Sequence, residues 1–160
     1  MTLSKKDIGP LVFWVLLAEG AGALGSIFTA PSIGSWYALL NKPALAPPNW
    51  VFAPVWTILF LLMGVAAFLV WRRSRTQQRT LAFNIFFLQL ILNVVWSFLF
   101  FGARNPGAAF VEIIFLWLAI AATIWAFARV SAPAAWLLAP YIMWVSFASY
   151  LNYMLFVLNG

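Results

Sequence analysis

The feature that most constrains this chain is a series of five apolar stretches, each long enough to cross a lipid bilayer. A helix rises about 1.5 Å per residue, so a hydrocarbon core of about 30 Å requires about 20 apolar residues. The stretches run over residues 8–29, 51–71, 81–101, 106–128 and 133–158. Stretches of this length without strict alternation exclude barrel strands of about ten residues. The sequence therefore predicts an all-α membrane protein, a bundle of five transmembrane helices that forms one domain over all 160 residues.

The composition is consistent with lipid as the solvent. The chain is 66% hydrophobic and 8% charged, whereas soluble domains carry about 25% charged residues. Ten Trp and sixteen Phe favour membrane interfaces and flat hydrophobic ligands. The absence of His and Cys excludes disulfides and imidazole catalysis, and it removes the commonest ligands of zinc and haem iron. We therefore expect no metal site and no cofactor.

The basic residues lie outside the apolar stretches, near their ends or in the connections, which predicts membrane topology and argues against nucleic-acid binding. With five spans, one side of the membrane receives Lys5, Lys6, Arg72, Arg73, Arg75, Arg79 and Arg129. The other side receives only Lys42 and Arg104. The positive-inside rule then places the N-terminus in the cytoplasm.

The first connection, residues 30–50, is unusually long for a compact domain. Its four prolines limit its helical content to a short turn around residues 35–40. We interpret this connection as a rigid lid over one end of the bundle; the alternative is an interfacial anchor without a gating role. The other connections are short, which predicts that consecutive spans are antiparallel neighbours. Pro140 predicts a kink in the fifth span.

Two spans carry stripes that combine aromatic and polar side chains at helical spacing. In the third span these are Gln89, Asn93, Trp96, Ser97 and Phe100, and in the fifth they are Tyr141, Trp144, Ala148 and Asn152. Amides inside a membrane form interhelical hydrogen bonds or orient a ligand in a cavity, and one amide can do both. The second span offers Trp56, Phe60, Met63 and Ala67. Together the stripes favour an apolar cavity with a few polar groups.

The first span has a face of small residues, made by Ala18, Gly22, Ser26 and Thr29. Such a face allows close helix packing or leaves room for a ligand, and both alternatives stay open. Glu19 lies near the middle of this span and Glu112 lies in the fourth. We expect Glu19 to be neutral or hydrogen bonded to Asn93 or Gln89. A proton relay is an alternative role for these carboxyls.

The first connection and its flanks resemble a known signature. Trp36-Tyr37, Lys42-Pro43, Pro47-Pro48, Phe52 and Trp56 resemble the pattern WYxxLxKPxWxPPxxVFxxVW of the translocator protein family, also called the tryptophan-rich sensory protein or TspO/MBR family. Further matches are Gln89, Leu92-Asn93, Trp96 and 100–104 in the third span, and Pro140-Tyr141, Trp144, Ala148 and Leu151-Asn152 in the fifth. The resemblance covers nearly the whole chain in order.

The resemblance implies a five-helix bundle, usually dimeric, with a pocket beneath the first loop. Family members bind porphyrins such as protoporphyrin IX, sterols in animals, and synthetic benzodiazepine-type or isoquinoline ligands. Matching positions imply that the pocket is lined by Tyr37, Pro47, Trp56, Asn93, Trp96, Trp144 and Ala148. Trp56 and Trp144 match a pair linked in some bacterial members to light-dependent porphyrin breakdown.

Two departures narrow these expectations. Leu45 stands where the family often has Trp, which would loosen the packing of the first loop. No Lys or Arg follows Tyr153, so the cholesterol motif of animal members is absent. A bacterial cell membrane is therefore the expected location.

The function that these residues predict is a membrane receptor or translocator for tetrapyrroles and similar apolar ligands. One alternative is an enzyme that degrades porphyrin in light, in which Trp56 and Trp144 would be the catalytic candidates. Another is a proton-coupled channel or transporter that uses Glu19 and Glu112, and a fourth is a regulatory partner whose pocket is incidental.

Overall fold

The computed structural model describes residues 4–73 and 76–160 of the chain, and these residues form helices joined by short loops, with no strand among them. The helices are α1 (Lys5–Ile33), α2 (Trp36–Leu39), α3 (Phe52–Trp71), α4 (Gln77–Ser97), α5 (Pro106–Ala128), α6 (Ala132–Leu137) and α7 (Ala139–Asn159). Five helical segments are long and apolar enough to cross a membrane: α1, α3, α4, α5, and α6 with α7. The predicted fold class is thus confirmed. Arg75, which the topology argument used, lies outside the described residues.

The helices do not follow one another in sequence order around the bundle. Helix α1 packs against both α3 and α4, α5 packs against α4 and α7, and α6 closes the ring against α3. Helices α3 and α4 contact each other much less than either contacts α1. The expectation that consecutive spans are neighbours was therefore wrong for α3 and α4, because α1 lies between them.

Helix α1 is closest to α3 at the end of the bundle that carries Lys5, Lys6, Arg72 and Arg79, which we call the basic end. A Cβ atom on Gly64 of α3 would lie 2.5 Å from the Cα atom of Val15, so only glycine allows this approach. Arg72, at the end of α3, forms an ion pair with Asp7 of α1 at 3.3 Å. Helices α1 and α3 are thus joined tightly in this half.

In the other half, which we call the loop end because it carries the first connection, α1 leans against α4 instead. A Cβ atom on Gly25 would lie 3.0 Å from the Ser97 hydroxyl oxygen. The Ser32 hydroxyl donates a hydrogen bond of 3.0 Å to the Phe101 carbonyl. Helix α1 therefore crosses from α3 to α4 along its length, and it leaves α3 as it does so.

The last turn of the third span is a π-helix over Phe98–Gly102. An inserted residue of this kind changes which side chains face inward, and such segments are frequent near functional sites. Here two consecutive residues, Phe100 and Phe101, are both buried. Their rings lie 4.8 Å apart, and both contact Tyr37 of the first connection.

The fifth span is divided at Leu138, which separates α6 from α7. Pro140 lies in the first turn of α7, where a missing N–H leaves no hydrogen bond unmade. The break occurs where the kink was expected, because the proline cannot continue the ladder of α6.

The first loop, residues 34–48, is held against the bundle by a buried tyrosine within the loop and by an asparagine at the end of α7. Tyr37 in α2 is 2% exposed, and burial raises the pKa of its phenol, which stays neutral. The Asn159 side chain accepts a hydrogen bond from the Asn41 backbone N–H at 2.9 Å and donates one to the Asn41 carbonyl at 3.0 Å. The loop is thus fastened to the last turn of α7.

Candidate ligand-binding cavity

A cavity of about 630 Å³ lies between α1, α3 and α4 in the loop half of the bundle. This volume is in the range of about 300–1,000 Å³ that suits small-molecule ligands. Its wall is mostly apolar, with a few hydroxyl, amide and carboxyl groups. The lining residues are Glu19, Gly22, Ala23, Gly25, Ser26, Thr29, Ala30, Ile33, Asn49, Phe52, Ala53, Trp56, Thr57, Phe60, Asn93, Trp96, Ser97 and Phe101.

The cavity opens sideways through the gap between α1 and α3. Ala23 and Ser26 of α1 and Ala53 and Thr57 of α3 line the cavity and are also exposed at the surface of the bundle. All four side chains are small, so they leave the gap open where α1 has turned towards α4. In a bilayer this opening faces the lipid chains.

The opposite wall, between α4 and α7, is held by buried hydrogen bonds. The Asn93 amide donates to the Tyr141 hydroxyl at 3.0 Å, and this hydroxyl donates to the Gln89 carbonyl oxygen at 2.9 Å. The Trp96 indole donates to the Asn152 carbonyl oxygen at 3.0 Å. Asn93 therefore both joins two helices and lines the cavity, which is the double role that the sequence allowed.

Three of the seven predicted site residues lie in the cavity wall: Trp56, Asn93 and Trp96. Trp56 packs on Phe60, with ring centroids 5.7 Å apart, and Trp96 stacks on Phe100 at 5.3 Å. Each indole is thus held on one side by a phenylalanine.

Two more predicted residues, Tyr37 and Ala148, line a second, much smaller hollow of about 30 Å³ between α4 and α7, beneath the first loop. Phe52, Trp96 and Phe101 line both this hollow and the large cavity. These three rings form a partition between the two compartments.

The last two predicted residues line neither space. Pro47 is half-buried in the first loop. Trp144 packs its ring against Phe52 at 6.2 Å, and its buried indole N–H has no hydrogen-bond partner among the described residues. The structure therefore separates Trp56 from Trp144: the first faces the cavity, and the second lies behind Phe52.

The two intramembrane carboxyls are not brought together. Glu19 is half-buried and lines the cavity, whereas Glu112 is buried in α5 and both of its carboxyl oxygens lack a described hydrogen-bond partner. The hydrogen bond expected between Glu19 and Asn93 or Gln89 is not present among the described residues: Asn93 donates to Tyr141, and Gln89 accepts from Tyr141 and donates to the Met63 sulfur.

Several cavity residues were not singled out from the sequence. Thr57 and Asn49 line the wall, but no pattern distinguishes them from other polar residues at the end of a span. Phe101 reaches the cavity because the π-helix turns it inward, and local sequence carries no clear signal of that insertion. Ala53 and Ala23 matter because they are small.

The fold and the site together define a class: multi-pass α-helical membrane proteins with an apolar cavity inside a five-helix bundle. Residues 14–158 match the model of the TspO/MBR family. The chain is 46% identical to the tryptophan-rich protein TspO of Chlorobaculum tepidum, over 97% of this chain and 99% of that protein. It is 42% identical to the protein of the same name from Archaeoglobus fulgidus, over 96% and 99% of the two chains. The human translocator protein is 41% identical, over 86% of this chain and 83% of that protein. The chain therefore belongs to the TspO/MBR family.

Proposed function

We propose that this protein binds bulky, flat apolar molecules of the tetrapyrrole class, such as protoporphyrin IX, in the cavity between α1, α3 and α4. The observation that carries the proposal is a space of about 630 Å³ with Trp56, Phe60 and Trp96 in one apolar wall. Aromatic side chains offer flat faces to a flat ligand. The names of the relatives, translocator and sensory proteins, fit a receptor or carrier.

Burial of the ligand surface drives binding in this proposal. Removal of apolar area from water is favourable by about 25 cal/mol per Å², less the cost of ordering the ligand and the surrounding side chains. Asn93 supplies an orienting polar group, since its carbonyl oxygen and second N–H are not used by the bond to Tyr141. The first loop acts as the cover, held by Asn159.

In this proposal, residues around both compartments contribute to one site, because Phe52, Trp96 and Phe101 line both spaces. A ligand wider than the large cavity displaces these rings towards α7 and joins the two spaces. Tyr37 and Ala148 then contact the ligand directly. Trp144 supports the partition, and Pro47 supports the first loop. Neither residue contacts a ligand that stays within the large cavity.

A porphyrin titration of matched tryptophan variants tests the proposal. We expect Trp56→Ala to weaken protoporphyrin IX binding at least tenfold, measured by the shift of the porphyrin Soret band, because the variant removes a wall of the cavity. Trp144→Ala should weaken it less, since Trp144 acts through Phe52. Trp136→Ala is the control, because this indole is 77% exposed and lines neither the cavity nor the smaller hollow. Equal affinities for the wild type and Trp56→Ala would exclude this cavity as the binding site.

Light-dependent porphyrin breakdown is a second candidate, favoured by the position of Trp56 in the cavity wall. An indole in contact with a photoexcited porphyrin is placed to donate an electron. We expect illumination of the protein with protoporphyrin IX to produce new absorbance bands that are lost in Trp56→Phe. Spectra identical to those of the ligand in detergent alone would exclude this activity.

We also propose that the basic end faces the cytoplasm of a bacterial cell and that the protein forms a homodimer. The charge distribution supports the orientation, since Lys5, Lys6, Arg72, Arg73, Arg79 and Arg129 lie at one end of the bundle and Lys42 and Arg104 lie at the other. Labelling of a single cysteine at position 160 from outside intact cells tests the orientation. Crosslinking in native membranes tests the dimer.

A further inference from the structure

The floor of the cavity contains a carboxyl group that no other part of the described structure uses. Glu19 lines the cavity, and its carboxyl forms neither an ion pair nor a hydrogen bond with any residue in the ranges 4–73 and 76–160. Side-chain carboxyls within a membrane are costly and commonly have a functional partner. The ligand is the group that remains to pair with Glu19.

The position of Glu19 in α1 makes it the deepest polar group of the cavity on that helix. Ile33 lies at the loop end of the same lining face, and it follows Glu19 by 14 positions, which correspond to about 21 Å of helix. Below Glu19, the tight approach of Gly64 to Val15 closes the space between α1 and α3. A ligand that fills the cavity therefore places the edge nearest the basic end against Glu19.

The charge of the cavity wall is one-sided. The described lining residues include one carboxyl, several neutral hydroxyl and amide groups, and no Lys or Arg. The hydroxyl hydrogens of Ser26, Thr29 and Thr57 are donated to backbone carbonyls of their own helices. The Glu19 carboxyl at the floor can therefore accept hydrogen bonds and pair with a positive charge on a ligand. The described lining residues offer no basic group to the carboxylates of a ligand.

We infer that Glu19 selects ligands that carry an amine or another N–H donor on the edge that lies at the floor of the cavity. This inference rests on the proposed function, since it names the chemistry that the same cavity prefers. An amine at the floor pairs with the carboxyl, and charge-assisted hydrogen bonds are about twice as strong as neutral ones. Carboxylate groups of a tetrapyrrole stay at the mouth of the cavity, away from Glu19.

The test uses two probes of the same shape, 9-(aminomethyl)anthracene and 9-anthracenemethanol, which differ only in amine against hydroxyl. Binding to the detergent-solubilised protein is followed by anthracene emission on tryptophan excitation. We expect Glu19→Gln to reduce the preference for the amine about tenfold relative to the wild type, while the affinity for the alcohol changes less than twofold. The preference is the ratio of the dissociation constants of the alcohol and the amine. Comparing this ratio between the wild type and the variant cancels the different partitioning of the two probes into detergent.

Two further variants complete the design. Glu19→Asp should keep most of the amine preference, because a carboxyl remains at the floor. Glu112→Gln is the matched control: it removes the other intramembrane carboxyl described here, which does not line the cavity, and it should leave the preference unchanged.

The outcomes separate this inference from the proposed function. If Glu19→Gln keeps the wild-type preference while both probes bind, the role of Glu19 is wrong and the apolar cavity stands. If neither probe binds the wild type while protoporphyrin IX still shifts its Soret band, the inference fails and the proposed function stands; if protoporphyrin IX does not bind either, both fail. A loss of preference in Glu112→Gln equal to that in Glu19→Gln would also contradict the inference.

Discussion

The two halves of the contact between α1 and α3 differ sharply, although the same two helices form both. At the basic end Gly64 lies against the backbone of Val15, and Arg72 pairs with Asp7. At the loop end, small exposed side chains from both helices surround an opening instead. The difference teaches that this cavity arises from the path of α1, which leaves α3 for α4, and not from a missing core.

The small-residue face of α1 shows the same division. Ala18 is fully buried in the core, whereas Gly22, Ser26 and Thr29 line the cavity. The two roles that the sequence allowed, close packing and ligand room, both apply, each to one part of the face. The position of each residue along α1 decides its role: the residue nearer the basic end packs in the core, and the residues nearer the loop end line the cavity.

The largest effect should follow from filling the tight half. Gly64→Ala places a methyl group 2.5 Å from the Val15 Cα atom, so the helices must separate. We expect a loss of about 3 kcal/mol in the free energy of unfolding, measured by titration with a denaturing detergent. Gly20→Ala is the control, since nothing lies within 4 Å of that Cβ position, and alanine favours the helix by up to about 1 kcal/mol. Equal losses in the two variants would contradict the tight contact.

The second effect concerns the wall opposite the gap. Tyr141→Phe leaves Gln89 and Asn93 without their shared partner, and we expect a loss of about 1–2 kcal/mol in the free energy of unfolding. Tyr153→Phe on the same helix is the control, because Tyr153 is 47% exposed. If both variants unfold alike, the closed wall does not depend on these bonds.

Blocking the gap should slow ligand binding without loosening the fold. In Ser26→Phe combined with Ala53→Phe, two rings occupy the opening, and we expect association of protoporphyrin IX to slow at least tenfold in stopped-flow measurements, which is about 1.4 kcal/mol in the barrier. Leu24→Phe is the control, because Leu24 is exposed on α1 and does not line the cavity. Unchanged association in the double variant would mean that ligands reach the cavity by another route.

The smallest effect should come from the attachment of the first loop. Asn159→Ala removes two hydrogen bonds to Asn41. We expect the free energy of local opening of the first loop to fall by about 1 kcal/mol. The Asn41 amide should then exchange with deuterium about fivefold faster. Leu158→Ala controls for disturbance of the helix end. Unaltered exchange at Asn41 would show that contacts other than those of Asn159, such as the burial of Tyr37, hold the loop.

Hydrophobic length and proline position were sufficient to predict five spans, the division near Pro140 and the short helix in the first loop. These features depend on local chemistry: the bilayer thickness sets the span, and proline cannot donate within a helix. The order of the helices around the bundle was not predictable in this way, because the path of α1 between α3 and α4 depends on side-chain packing across three helices.

The site was predictable to a lesser extent. Trp56, Asn93 and Trp96 lie on helical stripes that periodicity predicts to face inward, and all three line the cavity. Trp144 lies on a similar stripe, but Phe52 stands between it and the cavity, and no spacing within α7 reveals a ring that comes from α3. Glu19 was expected to be neutral or hydrogen bonded to Asn93 or Gln89, but both amides bond to Tyr141 instead. Sequence does not show which of several possible partners is nearest.

The most direct test of this account is a structure of the protein with protoporphyrin IX in a lipid bilayer. We predict that the macrocycle lies between α1, α3 and α4, in contact with Trp56 and Trp96, and that its carboxylates point to the mouth of the cavity and away from Glu19. A macrocycle bound on the outer surface of the bundle, with Trp56 and Trp96 unchanged and the cavity empty, would contradict the account.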